Sequence, residues 1–195
     1  KRCHASGYAV NFAMVDTSVI RTGLPSGELT YGDWFRLMPF ADVLRITWIT
    51  GHQLYLLIQD NAYRLDLPGE PHTERGFLHF SHQIRYTAEI EDCRDTIAVT
   101  DITVGGVPIE QLFDQSFQLV CSSFVREPAA TWEKHSRRIS VLPLMDVHQL
   151  SHRYTPLFLR DELVAYITEN GGVTEAGGAR RDGRIRIIMK ECEES

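Results

Sequence analysis

The segment that begins at Thr30 constrains the fold more than any other part of this sequence. Thr30 is followed three residues later by Asp33, a carboxylate variant of the capping box, and this spacing predicts that a helix begins there. Pro39 disfavours helical geometry in the residue before it, so the helix is expected to end near Met38. Phe40 therefore follows directly after the end of a helix, at a sharply defined position.

A strand and a second helix are predicted directly after the corner that Pro39 and Phe40 form. Residues 43–50, "VLRITWIT", are rich in β-branched side chains, which favours a strand. Thr50 with Gln53 forms a good capping box, which predicts a helix through about Ala62. The apolar stripe of this helix is expected to consist of Leu54, Leu57, Ile58 and Ala62.

Most of the remaining elements are predicted to be strands. Strand-like segments lie at residues 8–15, 77–90, 96–109, 116–125 and 184–189. Gly105 and Gly106 are expected to form the turn between two hairpin arms. Residues 68–76 read as a loop, and residues 127–152 lose the periodicity and predict a long loop or an insertion.

A last helix is predicted near the carboxyl end of the chain. Thr155 and Pro156 fit the N-cap and the first helical position, because proline is favoured at the first position of a helix. The helix is expected to end at Gly171. Its apolar side chains would be Leu159, Leu163, Val164 and Ile167.

Length and composition favour one folded domain. A chain of 195 residues can bury most of its apolar surface in a single core. Its 43% hydrophobic and 24% charged residues are typical of a globular protein. With the order of elements, this predicts a single α+β domain whose sheet is mixed and largely antiparallel, with a few packed helices.

The charge balance excludes some classes of partner. The formal net charge of −6 and the pI of about 5.7 argue against a nucleic-acid surface, which usually has a basic balance or a basic stripe. No apolar run approaches the roughly 20 residues that a membrane-spanning helix needs. We therefore expect neither a nucleic-acid partner nor a membrane span.

Cysteine and histidine spacing gives little support for a metal site. No C-x-x-C spacing occurs among the cysteines, which excludes the zinc-ribbon and thioredoxin classes. A disulfide between Cys3 and Cys192 and a set of free thiols both remain open. His79 and His82 lie three residues apart on a predicted strand, where that spacing places them on opposite faces.

Four stretches of the sequence match the motifs of a known family. The stretch "VDTSVIR" at 15–21 stands where the family has a strand ending in Asn-Gly-Gly-Gly-Ile-Arg. The stretch at 24–54 is similar to the family's helix, Pro-Phe-Gly-Asn corner, strand and Thr-Gly-x-x-Leu. "GFLHFSHQIRY" at 76–86 and "SFV" at 123–125 are similar to its Gly-Phe-Leu-Gln-x-Ser-Gly-x-x-Tyr and Asn-Phe-Leu. On these motifs the chain resembles the C-terminal domain of the 5'-nucleotidase and UDP-sugar hydrolase family over about residues 8–188.

The resemblance implies that catalysis and nucleoside binding belong to two different domains. In the family a metallophosphoesterase domain comes first, and its two divalent metal ions act on the phosphate ester. The C-terminal domain carries the nucleoside site. We therefore expect a nucleotide or nucleoside ligand, an N-terminal metallophosphoesterase domain as partner, no cofactor in this domain and no hydrolysis by this domain alone. Members of the family are mostly periplasmic, secreted or anchored at the cell surface.

Three substrate-binding residues follow from the resemblance. Arg21 matches the family arginine that follows the glycine run and helps to hold the substrate. Phe40 matches one of two aromatic residues that sandwich the nucleobase, a contact that supplies ~1–3 kcal/mol per base. Counting without gaps from Phe124 places Trp132 at the second stacking position.

Two loops depart from the family pattern and leave a second interpretation open. Residues 16–19, Asp-Thr-Ser-Val, replace Asn-Gly-Gly-Gly, where glycines allow close backbone approach to a ligand. The negative charge of Asp16 would oppose an anionic substrate there. Residues 128–131 likewise lack the family's glycines and aspartate. The alternative is therefore a diverged binding or protein-interaction module that keeps the fold and has no catalytic role.

Overall fold

The structure, a computed structural model, describes residues 2–65, 76–91, 96–125, 145–174 and 182–190. Within these ranges the helices are α1 (Arg2–Ala5), α2 (Tyr31–Leu37), α3 (Gly51–Ala62) and α4 (Leu159–Glu169). The strands are β1 (Phe12–Asp16), β2 (Val43–Thr50), β3 (Leu78–Phe80), β4 (Ile84–Glu91), β5 (Thr96–Val104), β6 (Val107–Pro108), β7 (Ser116–Ser122), β8 (His152–Phe158) and β9 (Ile185–Lys190). None of these helices has the length and apolar character needed to cross a membrane.

The strands form two sheets. The first has five strands in the order β3-β1-β7-β2-β8, and the second has four in the order β6-β5-β4-β9. Strands β1 and β7 run parallel, as do β4 and β9, and the other neighbours are antiparallel. The predicted α+β fold with a mixed, largely antiparallel arrangement is confirmed.

Helix α3 packs into the main core through the predicted stripe. Leu54, Leu57, Ile58 and Ala62 are all buried. They belong to one cluster that also contains side chains from both sheets, such as Phe12 of β1 and Ile90 of β4. The helical spacing of apolar residues therefore identified the correct buried face.

Both predicted capping boxes are present. The Asp33 amide donates to the Thr30 hydroxyl oxygen at 3.3 Å, and the Thr30 amide donates to the Asp33 carboxylate at 2.8 Å. At the start of α3, the amides of Gln53 and Thr50 donate to each other's side chains at 3.2 and 2.9 Å. Helix α2 ends at Leu37, with Met38 as its C-cap, as Pro39 requires.

The helix predicted to start at Thr155 is wrong in its first turn. Residues His152–Phe158 form strand β8, which pairs antiparallel with β2, and α4 begins only at Leu159. The Thr155 hydroxyl is buried and donates to the Leu44 carbonyl oxygen at 2.8 Å, so it serves the sheet rather than a helix. Pro156 is tolerated because, among the described strands, β8 lies at the edge of its sheet.

Other boundaries differ less. Residues 8–11 precede β1, and the predicted strand at 77–90 is divided into β3 and β4 by a turn at 81–83. Gly105 and Gly106 form the expected hairpin turn, with φ angles of 60° and 87°. The loops predicted at 68–76 and 127–152 fall mostly outside the described residues.

Gly51 lets helix α3 start against a neighbouring backbone. A Cβ atom at this position would lie 2.0 Å from the Leu112 carbonyl oxygen. The Gly51 amide donates to the Gln115 carbonyl oxygen at 2.9 Å, which holds the two segments together. Only a residue without a side chain fits this junction between β2 and α3.

Strand β2 also buries an arginine. Arg45 is 2% exposed, its Nε donates to the Cys121 sulfur at 3.3 Å, and its Nη2 has no hydrogen-bond partner. Within the described ranges no carboxylate pairs with this guanidinium. A buried charge without a counter-charge lowers the stability of the fold by roughly several kcal/mol, even after the surrounding protein relaxes.

We expect Gly51→Ala to lower the free energy of unfolding by about 1–3 kcal/mol or more, because the Leu112 backbone would have to move. Urea unfolding measures the change. Gly32→Ala in α2 is the matched control, because its Cβ would meet only ordinary contact at 3.5 Å. That control should be neutral or stabilising, and equal behaviour of the two variants would contradict the close-approach argument.

We expect Arg45→Met to leave the free energy of unfolding unchanged or to raise it by about 1–4 kcal/mol, because it removes, at similar volume, a buried charge that has no counter-charge among the described residues. Arg153→Met on the neighbouring strand is the control, since Arg153 is exposed. A loss of several kcal/mol in Arg45→Met alone would mean that the guanidinium has a counter-charge in solution.

Candidate functional site

The predicted site lies at the site edge, by which we mean the side of the five-stranded sheet where β1, β7 and β8 end and β2 begins. Strands β1 and β7 are parallel and end at this edge, whereas β2 is antiparallel to β7 and begins there. Strand β8 is antiparallel to β2 and ends there, with Phe158 beside Val43. The residues that follow β1 and β7 and those that precede β2 are therefore brought together by topology.

Phe40 lies at this edge with its ring half-exposed. Its side chain is 53% exposed, while Trp34 and Met38 just before it are buried. The Met38 amide donates to the Trp34 carbonyl oxygen at 2.9 Å, which closes the last turn of α2. The corner is thus anchored by its neighbours, and the ring of Phe40 remains available for contact.

Arg21 reaches the same end of α2. Its amide donates to the Leu37 carbonyl oxygen at 2.8 Å, three residues before Phe40. Its side chain is exposed and makes no ion pair within the described part of the chain. The carboxylate of Asp33 on α2 pairs with Arg36 at 2.6 Å. Among the described residues the guanidinium of Arg21 is therefore unpaired, and its backbone joins the end of α2 that leads to Phe40.

Trp132 lies outside the described residues, so its role as the second stacking wall stays a prediction. Strand β7 ends at Ser122, at the edge just described. The Ser122 hydroxyl donates to the Phe124 carbonyl oxygen and fixes the first residues after the strand.

The loop that replaces the glycine run is filled by its own side chains. Thr17–Val19 form a 3-10 turn in which all three residues are buried. Asp16 is 0% exposed, and its Oδ1 accepts bonds from the Ser18 amide at 2.8 Å and the Ser18 hydroxyl at 2.6 Å. The carboxylate therefore caps this turn, and it does not face solvent as a free charge.

Asp42 is a residue at this edge that the sequence interpretation missed. It is partly buried, and the Ser123 hydroxyl donates to its Oδ1 at 3.4 Å. Burial raises the pKa of Asp42, the bond from Ser123 opposes that rise, and the nearby charge of Asp16 adds to it. The sequence contained a sign of this, because Asp16 and Asp42 both stand where the family motifs have asparagine.

The described residues at this edge hold no cluster of metal ligands. The described residues contain no group of three or more His, Cys, Asp or Glu side chains that could hold an ion. His79 lies on β3 and His82 in the turn after it, so they do not share one regular strand. Cys3 is a buried free thiol, and Cys192 lies outside the described residues.

We expect Asp42→Asn to be more stable than the parent protein at neutral pH. A folded-state pKa above the unfolded value means that the stabilising contribution is complete below the unfolded pKa of about 3.9 and is lost as the pH rises through the folded pKa. The advantage of the variant should therefore shrink as the pH falls towards about 4. Urea unfolding across this pH range measures it.

Asp33→Asn is the control of opposite sign. Its bonds with Thr30 lower the pKa of Asp33, so its contribution is present above the unfolded pKa and is lost as the pH falls through the folded value. This variant should be less stable than the parent protein at neutral pH. If both variants shifted stability in the same direction at pH 7, the electrostatic account of Asp42 would be wrong.

Comparisons with solved structures give the same fold across nearly the whole chain. A 5'-nucleotidase precursor from Thermus thermophilus matches with a TM-score of 0.69 and 18% identity, over 96% of this chain and 33% of that one. The NAD nucleotidase of Haemophilus influenzae matches with a TM-score of 0.59 and 12% identity, over 93% and 30%. A sulfate thiohydrolase from Thermus thermophilus gives 0.56 and 15%, over 96% and 30%. The chain thus spans about a third of the length of these structures.

Sequence comparison gives the family. No curated protein matches the chain. The model of the family described as 5'-nucleotidase, C-terminal domain, matches residues 4–133, which is more than half of the sequence. This chain therefore belongs to the 5'-nucleotidase C-terminal domain family.

Proposed function

We propose that this domain binds the nucleoside part of a nucleotide and presents the phosphate ester to a metal-dependent hydrolase domain. Membership of the family makes the chain part of a group of nucleotide-processing enzymes. The finer assignment, a substrate-binding role in hydrolysis, rests on the geometry of one edge of the five-stranded sheet.

The exposed ring of Phe40 carries this proposal. A half-exposed aromatic side chain costs little to desolvate further, and every nucleobase offers a flat face for stacking. The buried residues before it, Trp34 and Met38, hold the corner in place. A fixed aromatic platform pays less conformational entropy on binding than a mobile one.

Two further residues would complete the site. Arg21, whose backbone amide bonds to the end of α2, presents an exposed guanidinium suited to a phosphate or to sugar hydroxyl groups through several N–H donors. Trp132 would supply the second wall, so that the base lies between two rings. Two divalent metal ions, held by residues of another domain, would activate water and polarise the phosphate.

A diverged module that does not bind nucleotides is the second candidate. Its support is the filled loop: residues 16–19 are buried, and side chains occupy the region where the family has glycines. The structural likeness to a sulfate thiohydrolase supports it too, because that likeness shows that the fold occurs in an enzyme named for another substrate.

Isothermal titration with adenosine, uridine and their monophosphates tests the proposal. Phe40→Ala should weaken nucleoside binding by several-fold or more, because stacking is worth ~1–3 kcal/mol per base. Trp132→Ala should do the same if that ring forms the second wall. Tyr154→Ala is the control, since it removes an exposed ring from β8 and should leave affinity unchanged.

The alternatives give distinct results. Binding that is insensitive to Phe40→Ala would remove the stacking role, provided that urea unfolding shows both proteins to be folded. An absence of heat with every nucleoside at millimolar concentration would favour the diverged module.

A further inference from the structure

We propose that Arg160 is a positioning residue that fixes the orientation of Phe40. The effect of Arg160 on ligand binding rests on the stacking role proposed above for Phe40. Arg160 is in the first turn of α4, which begins where β8 reaches the site edge. Arg160 lies far from Phe40 in sequence. It is the second residue of α4, whereas the predicted start at Thr155 would place it inside the helix.

Arg160 joins α4 to the end of α2 through two kinds of contact. Its Nη1 donates to the Met38 carbonyl oxygen at 2.9 Å. Its guanidinium carbon lies 4.4 Å from the ring centroid of Phe35 and 5.5 Å from that of Tyr31, within cation–π range. The side chain is only 10% exposed, so these contacts are largely shielded from water.

The bond to Met38 controls the direction of the chain after α2. Carbonyl groups in the last turn of a helix have no intrahelical donor, and a cation near them is favoured by the helix dipole. The Met38 carbonyl belongs to the planar peptide that leads into Pro39, whose φ is fixed by its ring. Holding that carbonyl therefore fixes the Met38–Pro39 peptide plane, and only the ψ angle of Pro39 separates this plane from the peptide of Phe40.

The remaining contacts make this link more than general packing. Arg160 Nε is buried without a hydrogen bond, and the nearest carboxylate oxygen, on Asp161, is 3.7 Å away. That carboxylate accepts a bond from the Tyr31 hydroxyl at 3.3 Å. The unsatisfied Nε offsets part of the stabilisation that the side chain provides, so we expect its removal to affect the corner more than overall stability.

Backbone NMR relaxation tests the positioning without any ligand. In the parent protein the Phe40 amide should have an order parameter near ~0.85, and in Arg160→Met it should fall towards ~0.6, while urea unfolding shows the variant still folded. Arg160→Lys keeps a positive donor and should restore part of the order. An unchanged Phe40 order parameter in folded Arg160→Met would overturn the proposal.

Nucleoside titration tests the consequence for binding. Arg160→Met should weaken binding roughly threefold to tenfold, less than the loss of the whole stack, with an intermediate value for Arg160→Lys. In the Phe40→Ala background, Arg160→Met should have no further effect, because Arg160 acts through that ring. Arg36→Met on α2 is the control, since Arg36 is 74% exposed and its guanidinium bonds to Asp33 and to the Gly32 carbonyl oxygen.

The outcomes separate this proposal from the proposed function. Binding that Phe40→Ala weakens and Arg160→Met leaves unchanged would overturn the positioning role alone. Additive losses in the double variant would mean that Arg160 acts independently of Phe40, which also overturns it. Binding that Phe40→Ala leaves unchanged would remove the stacking role, and the order parameter would still decide whether Arg160 fixes the corner.

Discussion

Backbone pairing between β2 and β7 is the constraint on which the rest of the structure depends. The two strands pair without a break from Leu44 beside Ser122 to Thr50 beside Ser116. This single ladder sets both ends of β2: one end leads out of the Phe40 corner, and the other begins α3 at Gly51. The candidate site and the main core are thus held in fixed relation by one strand.

Local signals predicted the bounds of the elements around β2 closely. Where non-local strand pairing decides the structure, the prediction from local signals was wrong. Capping boxes and Pro39 act within a few residues, so the bounds of α2 and α3 could be predicted from sequence. Thr155 and Pro156 carry an equally good local signal for a helix start, yet pairing with β2 overrides it. The contacts of Arg160 depend on this pairing, because α4 begins only where β8 ends.

The residues of the candidate site were predicted from motif positions, and their roles in binding stay predictions. Phe40 and Arg21 stand in motif positions, and the structure brings their backbones to one end of α2. The partly buried Asp42 depends on Asp16, the last residue of β1, and on Ser123, the residue after β7, and it meets them only through the sheet. Likeness of fold at 18% identity or less carries no information on such side-chain detail, so function has to be argued from these contacts.

The position of β9 has a consequence for folding during synthesis. The last described strand pairs with β4 from Tyr86 beside Ile185 to Glu91 beside Lys190. The two partners are separated by almost half of the chain, and closing so long a loop is entropically unfavourable. On the ribosome, β4 and β5 can form their hairpin early, but the side of β4 that pairs with β9 stays unpaired until β9 has emerged from the exit tunnel.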